Sequence, residues 1–204
     1  MPKGRVLKQL VPRLAKAGID GSVLLEDNRQ LIREDPKYGV RFLLLKPDDV
    51  PTYVEYGAAD LGIVGRDVLL EREYDLFAPL DLGIGKCRMM VCGRAGEGIP
   101  PTLGRSIRVA TKFPNIATRH FRASGLPIEL IYVQGSVELA PLTGLADVIV
   151  DLVETGETLR QNGLEPFELI CDISSVVVAN RVGFKLKQRA IEPLLEVLRD
   201  GPLG

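Results

Sequence analysis

The sequence predicts an α/β protein in which helices cover parallel sheets, and three observations carry that prediction. Short, β-branched apolar runs alternate along the chain with amphipathic stretches of helical period. Several of those runs are apolar at nearly every position, as expected of strands covered on both faces. The order Gly-x-Ala-Asp followed by an apolar run also occurs twice, at Gly57-Ala58-Ala59-Asp60-Leu61 and at Gly144-Leu145-Ala146-Asp147-Val148. That echo fits either two ordinary helix-to-strand turns or two similarly built lobes.

Taken in order, residues 7–17 have helical period and end at Gly18, and residues 40–45 read as a strand stopped by Lys46-Pro47. A short helix is expected over 50–56 and a strand over 61–64. Residues 93–101, rich in Gly and Pro, are expected to form an exposed excursion rather than a core element. A strand over 108–111, a helix over 114–124 and a strand over 129–133 follow. Asp147-Val148-Ile149-Val150-Asp151-Leu152-Val153 is another continuous strand, and the last third offers strands over 169–172 and 174–180 and a terminal helix over 185–199.

Composition excludes several function classes. With 26 Lys and Arg against 27 Asp and Glu, the net charge is −1, so no global basic field exists for nucleic acid or an anionic membrane. No charged-then-apolar leader opens the sequence and no apolar run approaches about 18 residues, so neither an export signal nor a membrane span is expected, and the protein is expected to be cytoplasmic. Cys87, Cys92 and Cys171 are odd in number and lack paired spacing, and they read as small core residues rather than metal ligands. His120 is the only histidine, which excludes multi-histidine zinc sites and disfavours a Cys-His or Ser-His nucleophile; it reads as a packed or solvated helix residue. The chemistry must therefore rest on carboxylates, cations and backbone amides.

One segment concentrates such groups. After the strand ending at Val153, Glu154-Thr155-Gly156-Glu157-Thr158-Leu159 supplies a flexible turn, two hydroxyl donors and the first turn of a helix whose N–H groups favour an anion. An N-cap followed by a turn-permitting glycine would look the same. The longer arrangement is more restrictive, because Glu138, Gly144, Ala146, Ile149, Asp151, Thr155, Gly156, Thr158 and Leu159 stand at fixed offsets. It resembles the signature of the ATP phosphoribosyltransferases, the first enzymes of histidine biosynthesis. Pro2-Lys3-Gly4-Arg5, residues 57–65 (GAADLGIVG) and residues 110–117 (ATKFPNIA) resemble further motifs of the same family, so the likeness covers nearly the whole chain. Ending at Gly204, the chain resembles the short form, which lacks a C-terminal regulatory domain.

The resemblance implies a type II periplasmic-binding-protein-like fold of two lobes with the substrates in the cleft between them. The first lobe is expected to span residues 1–88, completed by 175–204, and the second, carrying the phosphoribosyl pyrophosphate loop, residues 89–174. The implied reaction joins N1 of the adenine of ATP to C1 of the ribose of phosphoribosyl pyrophosphate and releases pyrophosphate. Glu138, Asp151, Glu154, Thr155, Gly156, Glu157, Thr158 and Leu159 are implied to bind the sugar donor, with Asp151 also catalytic. Lys3, Gly4, Arg5, Arg29, Lys46 and Lys112 are implied to meet ATP and pyrophosphate, with Arg29 and Lys46 also catalytic. At Lys46 the family often carries Arg, so the charge is kept while bidentate geometry is lost. Glu154 and Glu157 would repel phosphate unless they point outward, so backbone rather than charge is their expected contribution. Magnesium is expected on the pyrophosphate, carried mainly by substrate oxygens and water, with no dedicated protein metal site. The family also implies a regulatory subunit resembling histidyl-tRNA synthetase, in a hetero-oligomer expected to be a hetero-octamer.

Two rival readings make different demands. A non-catalytic binding protein on the same scaffold predicts no phosphate loop and, usually, an export signal. Another phosphoribosyltransferase generally pairs two adjacent acids before the TG turn, whereas Asp151 is followed by Leu152.

Overall fold

A computed structural model describes residues 5–16, 18–26, 29–102 and 104–199. These divide into two compact units, one drawn from residues 1–69, 73–85 and 174–204 and the other from 70–72 and 86–173. The chain is α/β, but its sheets are not simply parallel.

In the first unit, helix α1 (Arg5–Lys16) buries the stripe Leu7, Leu10 and Leu14 and gives way at Gly18, whose φ of +75° is left-handed. Strands β1 (Ile32–Asp35) and β2 (Val40–Leu43) form an antiparallel pair. β1 carries two buried charged residues, and both bond to backbone: Arg33 Nη2 donates to the Glu26 carbonyl at 2.9 Å, and Asp35 Oδ2 accepts from the Asp20 N–H at 2.9 Å. Helix α2 (Val50–Glu55) leads through Gly57 into β3 (Leu61–Gly65), helix α3 (Arg66–Glu71) follows at once, and β4 (Leu76–Asp81) completes this stretch.

The second unit begins with β5 (Cys87–Arg94), a strand absent from the sequence-based expectations. It absorbs Gly93 and Arg94, so the excursion expected over 93–101 starts only at Ala95; Gly93 is a strand residue because a Cβ there would lie 2.5 Å from the Phe167 ring. β6 (Ile107–Thr111), helix α4 (Pro114–Ala123), β7 (Ile128–Tyr132), helix α5 (Leu139–Leu142), β8 (Val148–Val153), helix α6 (Glu157–Gln161) and β9 (Leu164–Ile173) follow in alternation. Their sheet has the order β7-β6-β8-β5-β9. β6 runs parallel to both β7 and β8, while β5 runs antiparallel to β8 and β9, so the sheet is mixed. Helices cover both faces. Val109, Val148 and Val150 pack with Ile116, Ala117 and Phe121 of α4, while Ala110 and Ile149 on the opposite face pack with Ala140 of α5 and Leu159 of α6. Two covered faces explain why β8 is apolar in succession rather than alternately.

The chain then returns to the first unit. β10 (Ser175–Asn180) pairs antiparallel with both β3 and β4, giving a sheet of order β3-β10-β4 with no parallel pair. The expected single terminal helix is two, α7 (Arg181–Leu186) and α8 (Gln188–Arg199), broken at Lys187. α7 begins four residues before the expected start because the Asn180 side chain caps it, accepting from the N–H groups of Val182 and Gly183 at 3.0 Å each. No helix among the described residues is long and apolar enough to cross a membrane.

The Gly-x-Ala-Asp echo has a shared backbone. Gly57 ends the turn after α2 with φ +73° and Gly144 the turn after α5 with φ +74°, and among the described residues nothing lies within 4 Å of a Cβ built on either. Glycine is therefore required there by conformation rather than by space. Each following Asp holds a cation: Asp60 takes Lys187 Nζ at 2.8 Å, and Asp147 takes Arg108 Nη2 at 3.0 Å.

Candidate active site at the strand ends of the second unit

Because β6, β7 and β8 run parallel, their carboxyl ends open on one edge of the sheet, where ligands of α/β proteins gather. The turn after β6 carries Lys112, the connection after β7 leads to Glu138 at the start of α5, and β8 delivers Asp151 and then the turn 154–156. Local sequence explains each placement. Pro114 opens α4 two residues after Lys112, since its fixed φ suits a first helical turn. Gly156 adopts φ +75°, ψ 4° at the head of α6.

Asp151 is the electrostatic centre of this edge. It faces Met90 of β5 in the ladder and lies near Cys92, both in the apolar cluster under α5 and α6. Burial pushes its carboxyl above the ordinary range and Glu138's charge adds to the rise, while a bond from the Leu152 N–H at 2.8 Å and the charge of Lys112 act the other way. The neighbouring Cys92 thiol is pushed up to about 12 by burial and by Asp151, which keeps it an inert core group. Two carboxylates and one ammonium thus meet where a polyhydroxyl ligand could donate to the former and a phosphate could contact the latter.

In the turn after β8, Glu157 has partners of its own. Its carboxylate is paired with Arg160 one helical turn on, and also accepts from Gln161 Nε2 at 2.7 Å. Thr155 and Thr158 are exposed, and Thr155 Oγ1 accepts from the Glu157 N–H at 3.3 Å. Leu159 differs from its neighbours: it is buried with Val153 and Leu164, so its side chain anchors α6 rather than facing a ligand.

The remaining predicted residues belong to the first unit or lie outside the described residues. Arg29 and Lys46 belong to the first unit and are exposed, Arg29 before β1 and Lys46 at the head of the turn Pro47–Asp49. Lys3 and Gly4 lie outside the described residues, and so does the Arg5 side chain, although its backbone opens α1. His120 is half-buried, edge-on to Phe121, with its Nε2 3.4 Å from a Glu168 carboxylate oxygen. Among the described residues, no three His, Cys, Asp or Glu side chains group as metal ligands.

Two residues that the sequence did not single out shape the edge. Glu71 caps α4, its carboxylate accepting from the Asn115 and Ile116 N–H groups at 2.9 and 3.0 Å while its carbonyl accepts from Asn115 Nδ2 at 2.9 Å. A carboxylate therefore already occupies the α4 terminus. Thr111, wholly buried at the end of β6, bonds to backbone on both sides; in the sequence it stands in the 110–117 motif as a hydroxyl in an apolar strand.

Comparison with known proteins bears on what this edge does. A family model described as HisG, ATP phosphoribosyltransferase, matches residues 46–200. An ATP phosphoribosyltransferase of Sorangium cellulosum is 52% identical over 204 residues, covering 100% of this chain and 95% of the relative. The chain belongs to the ATP phosphoribosyltransferase family. Another member, ATP phosphoribosyltransferase 2 of Geobacter sulfurreducens, is 48% identical over 200 residues, 97% of this chain and 94% of its own. Among solved structures, the ATP phosphoribosyl transferase (HisG:HisZ) complex from Thermotoga maritima contains a chain that superposes with a TM-score of 0.82 at 39% identity, covering 98% of this chain and 94% of that one. The ATP phosphoribosyltransferase reaction is the first step of histidine biosynthesis.

Proposed function

We propose that this chain transfers the phosphoribosyl group of phosphoribosyl pyrophosphate to N1 of ATP, giving phosphoribosyl-ATP and pyrophosphate, and that the strand-end edge of its second unit holds the sugar donor. The observation that carries the reading is the convergence of Lys112, Glu138, Asp151 and the Thr155–Thr158 turn on one edge of a parallel sheet, in a chain about half identical to ATP phosphoribosyltransferases along its length. The 5-phosphate sits on the turn, with hydroxyls of Thr155 and Thr158 donating to its oxygens and Gly156 allowing close backbone approach. Glu154 and Glu157 contribute backbone there, and Leu159 holds the turn to the core. Asp151 and Glu138 accept from the ribose hydroxyls.

As the lone pair of N1 forms its bond to C1, the bond from C1 to pyrophosphate breaks and the pyrophosphate leaves with that electron pair. Positive charge develops on the ribose, beside the two carboxylates, and preorganised charge of opposite sign lowers such a barrier. No covalent nucleophile is needed. Lys112 and the first-unit groups Lys3, Gly4, Arg5, Arg29 and Lys46 meet the phosphates of ATP and of the leaving group, with Arg29 and Lys46 balancing the charge that departs. Magnesium is carried by pyrophosphate oxygens and water, where it would neutralise leaving-group charge.

The two units are read as the lobes of a type II periplasmic-binding-protein-like fold. The HisG:HisZ complex of Thermotoga maritima supports a regulatory subunit of the HisZ kind as partner, and we read that subunit as resembling histidyl-tRNA synthetase and the assembly as a hetero-octamer. The length of 204 residues supports the short form, and the biosynthetic reaction fits an enzyme of the cytoplasm. Mixing the protein with magnesium, phosphoribosyl pyrophosphate and each candidate base or nucleotide, then following pyrophosphate release, tests the reading. Release is expected with ATP; release with adenine and none with ATP would sink it.

A further inference from the structure

We propose that Thr111 is a positioning residue for this transfer, its hydroxyl locking the turn that carries Lys112 to the strand that carries Asp151. The inference rests on the reaction proposed above. Thr111 ends β6 and is wholly buried. Its Oγ1 donates to the Val150 carbonyl at 2.7 Å and accepts from the Phe113 N–H at 2.8 Å. Val150 immediately precedes Asp151, and Phe113 immediately follows Lys112. On its other side the Thr111 carbonyl accepts from the Val133 N–H at 3.1 Å, so the ends of β6, β7 and β8 meet at this one residue.

The chemistry of the position argues for this role over simple packing. Thr111 faces Val150 in the β6–β8 register, and the residues before it, Val109 and Ala110, are fully buried and apolar. A buried parallel strand would ordinarily place valine here, which has the same shape. A buried hydroxyl is costly unless bonded, and this one spends its proton and a lone pair on the two backbone groups next to site residues. Valine would leave the Val150 carbonyl and the Phe113 N–H without that partner, releasing the Lys112 turn from the strand beneath Asp151. Where two charged groups must meet one substrate, a displacement on the order of 1 Å costs about 100-fold in rate.

The test compares Thr111→Val and Thr111→Ser with the wild-type chain in steady-state pyrophosphate release from ATP, phosphoribosyl pyrophosphate and magnesium, with melting curves to confirm folding at the assay temperature. Thr111→Val should lose about 10- to 100-fold in kcat/KM for phosphoribosyl pyrophosphate. Thr111→Ser, which keeps the hydroxyl, should stay within about threefold of wild type. If Thr111→Val does not fold, Thr111→Cys, close in size to serine but a weak donor, replaces it, and the same gap from Thr111→Ser is expected. A folded Thr111→Val or Thr111→Cys as active as wild type overturns the proposal, and so does a Thr111→Ser as impaired as either. A wild-type chain that releases no pyrophosphate overturns the assigned reaction instead, a result distinct from an active wild type matched by active variants.

Discussion

Gly156→Ala separates a glycine kept for its turn from one kept for a ligand. Gly156 has φ +75°, and among the described residues the only atom within 4 Å of a Cβ built there is Val153 Cγ1 at 3.8 Å, an ordinary contact. The added methyl therefore meets no clash, and the cost is that of an L-residue in the left-handed region, about 1–2 kcal/mol. Alanine also narrows the unfolded ensemble, which offsets about 0.4–1 kcal/mol. The net loss is then at most about 1.6 kcal/mol, or a few degrees in Tm for a chain of this size. Phosphate binding should respond as a separate effect, because the methyl stands where the backbone must approach an oxygen. Affinity for phosphoribosyl pyrophosphate should fall at least about tenfold, equivalent to 1.4 kcal/mol. Calorimetric titration with phosphoribosyl pyrophosphate and magnesium, beside a thermal melt, reads both effects. Unchanged affinity with the expected small Tm loss would refute the cradle and leave Gly156 as a turn residue.

Asp151 and Asp147 should respond oppositely to pH. Burial raises the folded pKa of Asp151 above its ordinary 3.8, so its stabilising contribution is full below that value and is lost as pH rises through the folded pKa; Asp151→Asn should abolish transfer yet stabilise the unliganded chain at neutral pH, with the gain disappearing in acid. The Arg108 hydrogen bond lowers the pKa of Asp147, so its contribution is present above 3.8 and is lost as pH falls through the folded pKa; Asp147→Asn should destabilise at neutral pH and cost little in acid, as denaturant melts across pH would show. Glu71→Ala should cost about 0.5–2 kcal/mol by uncapping α4, with faster hydrogen exchange at the Asn115 and Ile116 amides; unchanged protection there would show that the cap carries no weight.

Much of the fold was legible because local pattern and tertiary role agreed. The strands around Val109 and Ile149 and the helix opened by Pro114 carry their own start and stop signals. Strands with mixed messages were missed. β4 contains Pro79, tolerable because β4 is an edge of its sheet, and β1 reads as charged because Arg33 and Asp35 are buried on backbone partners distant in sequence. Strand direction was illegible for a deeper reason: β5 and β10 run antiparallel to their neighbours through pairings that no local window contains. Within the edge, Asp151, Glu138 and the glycine turn were named through the family resemblance that their offsets carry, while the pairing of Glu157 with Arg160 follows from an i, i+3 separation visible in the sequence. Glu71 was not readable, because its partner Asn115 stands 44 residues away.

The most direct test of the central claim is a crystal structure of the chain with phosphoribosyl pyrophosphate and magnesium. The account predicts the 5-phosphate seated on the turn from Thr155 to Thr158, with the ribose hydroxyls donating to Asp151 and Glu138. A 5-phosphate bound elsewhere, with that turn empty, would contradict it.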